Sequence, residues 1–233
     1  MLQMLIDALR GEPDVTGIIL YIFASLVVIF LTLPVHEYAH AFVANRLGDP
    51  TARHQGRLSI NPMVHVDYIG ALMILFFGFG WAKAVPVNMR NFRNPKRDMA
   101  ITAAAGPVSN LIMAFFALIF YHLFDLLRLQ TTASGTMVAL GWVCGFFGFV
   151  ASINISLAVF NLLPLPPLDG SRILGLVLPN RIYYTIMQYE RYIFFLVLAL
   201  VWLNVLDPIL GFLTHYVSIA VDFLPSLLFG LFV

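Results

Sequence analysis

The stretch GIILYIFASLVVIFLTLPVHEYAHAFVANRL, residues 17–47, decides how the chain is read, because it is apolar enough to enter a membrane and yet carries His36-Glu37-Tyr38-Ala39-His40. At 1.5 Å per residue a continuous helix over it reaches roughly 45 Å, longer than a hydrocarbon core of roughly 30 Å. His36 and His40 are spaced i and i+4, so they project from one helix face about one turn apart and can share one metal ion. Glu37 lies between them and can reach a metal-bound water. The structural alternative is a pair of histidines packed between helices and satisfied by hydrogen bonds. Ionisable groups in a membrane helix are costly and usually functional, which favours the metal. Pro34, just before the motif, predicts a kink or a local loosening of the helix.

Composition sets the class around this stretch. Of 233 residues, 61% are hydrophobic and only 11% charged, with a mean hydropathy of +0.89, so the chain reads as a polytopic membrane protein. A net charge of +1 argues against a nucleic-acid partner. Cys144 is alone, which excludes an internal disulfide and a cysteine-rich zinc site, and it reads as a small buried side chain. Asp7, Glu12 and Asp14 outweigh Arg10 ahead of the first apolar segment, so that segment is expected to be retained rather than cleaved as a signal.

Further helices read at residues 99–124, 138–163, 189–206 and 209–232. Residues 64–81 are apolar but contain His65, Asp67, Gly70, Gly78 and Gly80 and follow Asn61-Pro62, a pattern suited to a re-entrant or strand-like insertion packed against protein. Basic residues accumulate in cytoplasmic loops. If residues 64–81 do not cross, Arg46, Arg53, Arg57, Lys83, Arg90, Arg93, Lys96, Arg97, Arg172, Arg181 and Arg191 share one side, leaving Arg10 and Arg128 opposite. The expected fold is therefore an all-α polytopic membrane protein with about five transmembrane helices plus a re-entrant or strand-like insertion. Its N-terminus is outside and the HEYAH end of the first helix faces the cytoplasm. The basic runs themselves read as topology determinants and lipid-surface contacts.

A catalytic zinc usually has three protein ligands and an open position, so the two histidines need a partner. Asp169 is the strongest candidate. It follows Asn161-Leu-Leu-Pro164-Leu-Pro166-Pro167-Leu168 and precedes Gly170, at the same end of the spans as the histidines. The prolines there cannot continue a regular helix, and irregular backbone at membrane depth is tolerated where it lines a cavity. A helix N-cap before Ser171 is an equally plausible role for Asp169. His65 and Asp67 form the rival pair, as a ligand or a hydrogen-bonding neighbour, although Asp67 also fits a capping role. His54, His122 and His215 read as interfacial histidines.

Three motifs in order, HEYAH, Gly106-Pro107-Val108-Ser109-Asn110 and NLLPLPPLDG from Asn161 to Gly170, resemble the site-2 protease family of intramembrane zinc metalloproteases. The stretch Gly56-Arg57-Leu58-Ser59-Ile60-Asn61-Pro62, running on to His65 and Asp67, is similar to the family's short branch. The resemblance implies Zn2+ held by His36, His40 and Asp169, with Glu37 as general base and Asn161 positioning substrate or stabilising the oxyanion. It also implies that the Gly106 to Asn110 motif lies against the catalytic helix. Independently of it, Gly106 and Asn110 are i and i+4, so a small residue and an amide share one face.

On this reading residues 1–16 are an N-terminal interfacial segment, 17–206 the metalloprotease core and 207–233 a C-terminal transmembrane segment. The expected location is the plasma membrane of a prokaryote. The partners implied are the lipid bilayer and transmembrane protein substrates. The interval from residue 47 to residue 99 and the apolar tail leave no room for the PDZ or CBS domains of other members. Selection and regulation then fall to the membrane core, a homo-oligomer or a separate membrane partner. Two readings from other classes are a divalent-metal transporter, which would tolerate loss of Glu37, and a catalytically silent scaffold; the complete motif set disfavours both.

Overall fold

The computed structural model describes residues 15–77 and 80–231 and contains no strand among them. In chain order its helices are α1 (Val15–Arg46), α2 (Tyr68–Phe77), α3 (Pro95–Gln130), α4 (Ser134–Asn161), α5 (Asp169–Leu174), α6 (Asn180–Gln188), α7 (Glu190–Trp202) and α8 (Asp207–Gly230), with one short turn at Thr51–His54. α1, α3, α4 and α8 are long and apolar enough to cross a membrane. The chain is thus an all-α polytopic membrane protein. The acidic N-terminal residues Asp7, Glu12 and Asp14, with Arg10 and Gly78, lie outside the described residues.

The core forms where α1 packs on the α3–α4 hairpin: Tyr21, Ala24, Val28 and Leu33 of α1 meet Ala117 of α3 and Val150, Ile153 and Leu157 of α4. Small side chains on these faces let the backbones approach, and dispersion and hydrogen bonds replace the hydrophobic drive that lipid cannot supply. The loosening expected at Pro34 takes a definite form. Residues Val28–Thr32 make a π-helical turn, with the Leu33 N–H bonding back to Val28 O. A proline has no N–H and crowds the carbonyl four residues earlier, and one wider turn relieves both problems. Beside this turn the buried Asn154 of α4 donates to Thr32 Oγ1 at 3.4 Å and to Val150 O at 2.8 Å.

Residues 64–81 turn back rather than cross. α2 is 10 residues long, about 15 Å at 1.5 Å per residue, half of a hydrocarbon core. Its return limb passes so close that a Cβ on Gly70 would stand 1.9 Å from Trp81 O, and one on Gly80 would stand 2.1 Å from Gly70 O. Beyond that crossing the Lys83 N–H donates to His65 O at 2.7 Å, so the insertion enters and leaves at one place. The entering limb is helical, not strand-like. A helix satisfies its own backbone groups at depth, which a lone strand cannot, and Asp67 accepts the Gly70 N–H at 2.9 Å to start it.

Leu210, Val217 and Val221 of α8 pack against Ala114 of α3 and Ile155 and Val159 of α4, and Asp222 meets His122 of α3 at 2.7 Å. Val159 lies near the C-terminal end of α4 and His122 in the far half of α3, so α8 runs in the direction of α3 and starts at the end of the bundle where α4 finishes. The pair α6–α7, bent by 68°, would count as a fifth span if taken as one piece. The register of α8 instead starts and finishes that pair at one end, which favours four spans with two inserted elements.

At that same end Asp49 ties the exit of α1 to the segment entering α3. It is fully buried, and its carboxylate accepts the Thr51 N–H at 3.1 Å, the Asn91 Nδ2 at 2.7 Å and the Asn88 N–H at 2.7 Å. Burial raises its pKa, but the donors from Thr51, Asn88 and Asn91 outweigh burial and hold it below the usual carboxylate range. A lowered folded pKa gives stability that is complete above the unfolded value of about 3.9 and is lost as pH falls through the folded value. Asp49→Ala is expected to lower stability by about 1–3 kcal/mol near neutral pH, with the difference from wild type shrinking below about pH 4. Thermal unfolding in detergent across pH 3–7 measures it.

Candidate metal centre

The π-turn and Pro34 deliver the second half of α1 into the bundle with His36, Glu37 and His40 buried at 5%, 7% and 8% exposure. The third donor arrives from the segment after α4. Beyond Asn161 the prolines prevent further helix, and the chain folds back so tightly that a Cβ on Gly170 would lie 2.2 Å from Leu162 O and 2.4 Å from Leu163 O. Glycine at 170 is therefore required for Asp169 to reach α1. Asp169 is the first residue of α5, and the N-cap is Leu168, with no side-chain cap bond. The capping alternative for Asp169 gives way to a carboxylate facing two imidazoles.

His36 Nε2 and His40 Nε2 stand 3.0 Å apart. Asp169 Oδ2 is 3.3 Å from the first and 3.4 Å from the second. The other ring nitrogens set the tautomers. His40 Nδ1 lies 2.7 Å from the carbonyl oxygen of Thr102, which can only accept, so Nδ1 carries the proton. His36 Nδ1 lies 3.3 Å from Asn110 Oδ1 and donates in the same way. Both Nε2 atoms then turn lone pairs toward each other and toward the carboxylate. Ligands about 2.0–2.1 Å from a tetrahedral zinc are themselves about 3.3–3.4 Å apart, so the donor set fits that ion in both spacing and chemistry. Among the described residues this is the one cluster of three such donors, their ligand atoms lying within 4.8 Å of one another.

Glu37 projects into a cavity of about 440 Å³ that the three donors share with Trp81, Val85, Asn161, Phe194 and Val197. Its Oε2 accepts the Val85 N–H at 2.9 Å. Asn161 donates from Nδ2 to Leu157 O at 2.9 Å; an amide nitrogen has two hydrogens, so one remains for the cavity. Gly106 lies under both imidazoles. His65 and Asp67 do not line this cavity. The His65 ring is tied to Ser59 O at 2.6 Å, and Asp67 is occupied at the start of α2. His54, His122 and His215 also stand outside the donor cluster, with His122 paired to Asp222.

Three contributors lie outside the residues singled out from the sequence: the Thr102 carbonyl, the Val85 N–H and the buried Asn154 beside the π-turn. The first two are backbone groups and leave no mark in composition. Asn154 does, as an amide in an apolar span.

A Cβ on Gly106 would stand 2.4 Å from His40 Nε2 and 2.5 Å from His36 Nε2. Gly106→Ala is thus expected to weaken zinc binding about 10–100-fold, the usual scale for displaced support around a metal, while helix content is unchanged. Metal analysis and circular dichroism of the purified protein check this.

Comparison with known proteins agrees with the motifs. The model of peptidase family M50 matches residues 24–204. The chain is 42% identical to "Putative zinc metalloprotease YwhC" of Bacillus subtilis over 77% of this chain and 79% of that protein. It is 31% identical to "Putative zinc metalloprotease MJ0611" of Methanocaldococcus jannaschii over 67% of this chain and 71% of that protein. Identity is 30% to "Putative zinc metalloprotease Rip2" of Mycolicibacterium smegmatis, over 60% of this chain and 51% of the relative. No solved structure matches significantly. With most of its length inside the family model and three motifs in the family's order, the chain belongs to peptidase family M50, the site-2 proteases.

Proposed function

We propose that this protein is a zinc endopeptidase that cuts transmembrane protein substrates within or near their membrane segments, as a step of regulated intramembrane proteolysis. The observation that carries the reading is the buried carboxylate of Glu37 beside three converging metal donors, in a cavity enclosed by membrane helices. His36, His40 and Asp169 would hold the ion. A bound zinc supplies Lewis acidity, lowering the pKa of a water toward ~7 and polarising the scissile carbonyl.

Glu37 accepts a proton from the attacking water and returns it to the leaving amine. The Val85 N–H steadies one carboxylate oxygen and leaves the other for that exchange. The free Asn161 hydrogen faces the developing oxyanion, where one such donor is worth roughly 3 kcal/mol. A substrate helix must unwind to expose its peptide bond, and the non-helical segment of residues 80–87 beside the cavity offers backbone for the opened chain to pair with. Residues 17–206 form the catalytic core and residues 207–233 an appended span. Excess basic charge at the metal end of the bundle supports a site facing the cytoplasm of a prokaryotic plasma membrane. Substrate choice falls to the membrane core, a second copy or a separate membrane partner.

Comparing membrane-proteome fragments from cells with wild-type protein and with Glu37→Gln tests the activity. Discrete fragments are expected to vanish in the variant, whereas identical patterns under several stresses would contradict the reading. His36→Ala and Asp169→Ala are expected to lose zinc, and Glu37→Gln to keep it.

A further inference from the structure

The stretch from Gly56 to Pro62, with His65 and Asp67, takes no part in the donor cluster, yet it contains a buried cation held on three backbone carbonyls. Arg57 is 8% exposed. Its guanidinium donates to the carbonyl oxygens of Val64, Lys83 and Ala84, the last at 3.1 Å. It makes no ion pair with a carboxylate among the described residues. Burying a cation on carbonyls alone is costly, so what it holds matters. A guanidinium has five donors in a fixed fork and can grip several carbonyls on two chain segments at once, which a compact ammonium cannot.

The two segments are the limbs of the insertion. Val64 precedes the entering helix, while Lys83 and Ala84 end the returning limb. The neighbouring His65 reinforces the same stem, its ring on Ser59 O at 2.6 Å and its carbonyl accepting the Lys83 N–H at 2.7 Å. The residue after Ala84 is Val85, whose N–H meets Glu37 Oε2 at 2.9 Å. One unbroken line of contacts therefore runs from Arg57 through the Lys83 and Ala84 carbonyls to the Val85 amide and the carboxylate of α1.

We propose that Arg57 is a positioning residue that clasps the stem of the insertion and thereby sets the Val85 N–H against Glu37. The inference rests on the reading of Glu37 as the base. It gives the stretch following Gly56 a task in catalysis without contact with metal or substrate.

The test uses purified full-length protein in detergent with fluorophore-labelled casein as an unstructured probe, comparing wild type, Arg57→Lys, Val85→Pro and the double variant. Proline at 85 deletes the amide hydrogen, and Val85 already precedes Pro86, which biases its backbone to the extended region that a proline ring tolerates. Arg57→Lys is expected to lower kcat about 10–100-fold, the scale of a small misplacement, with KM within about twofold and zinc at the wild-type level. Hydrogen exchange of residues 83–85, measured on metal-free protein, is expected to quicken about tenfold as the local opening cost falls. In the Val85→Pro background the Arg57 change should cost no more than about twofold, because both act through one contact.

Wild-type kcat and exchange in Arg57→Lys would overturn the proposal, as would full additivity in the double variant. If Arg57→Lys does not fold, Arg57→Gln replaces it; failure of both assigns Arg57 to loop stability alone and also overturns the proposal. Casein cleavage by Glu37→Gln at the wild-type rate would defeat the protease reading itself, a result separate from the exchange measurement on Arg57→Lys.

Discussion

Two imidazole nitrogens 3.0 Å apart, each turning a lone pair toward the other and toward a carboxylate oxygen within 3.4 Å, repel unless a cation lies among them. Much of the bundle serves to hold that arrangement together. The Thr102 carbonyl and the Asn110 amide oxygen fix the two rings in the tautomer that points the lone pairs inward. Gly106 removes the side chain that would otherwise fill the space beneath them. The prolines after α4 and the glycine at 170 return the chain sharply enough to supply the carboxylate. Each feature is unfavourable or neutral for a simple apolar helix bundle, and all of them act on one point.

The inserted element is the second constraint. A bilayer core offers no water to satisfy open backbone, so irregular chain at that depth must be covered by protein or line a cavity. Here the half-crossing helix α2 goes down, and residues 80–87 return along the cavity wall. Gly70 and Gly80 allow the limbs to touch, and Arg57 and His65 close the stem. α1 benefits directly, since the returning limb supplies the N–H that Glu37 accepts.

Much of this was legible in the sequence where side chains carry the information. An i, i+4 pair of histidines with a glutamate between them fixes a helix face. An aspartate after a proline-broken span marks a place where chain must fold back, and the family motifs join the two. The half-crossing of residues 64–81 follows from charge distribution and glycine content, but its helical form depends on backbone satisfaction that an apolar run does not reveal by itself. The Thr102 and Val85 contacts are made by main chain, so no residue type announces them. The direction of α8 rests on which faces of α3 and α4 remain free after α1 has docked, a property of packing and not of the α8 sequence. From the sequence His65 and Asp67 read as neighbours of the active site; their side chains instead hold the insertion, His65 at its stem and Asp67 at the start of α2.

X-ray absorption at the zinc edge of the purified protein addresses the donor cluster most directly. The account predicts one zinc per chain in a shell of nitrogen and oxygen at about 2.0–2.1 Å, with the outer-shell scattering of two imidazoles. Absence of stoichiometric zinc, a shell containing sulfur, or scattering from one imidazole or from three would contradict it.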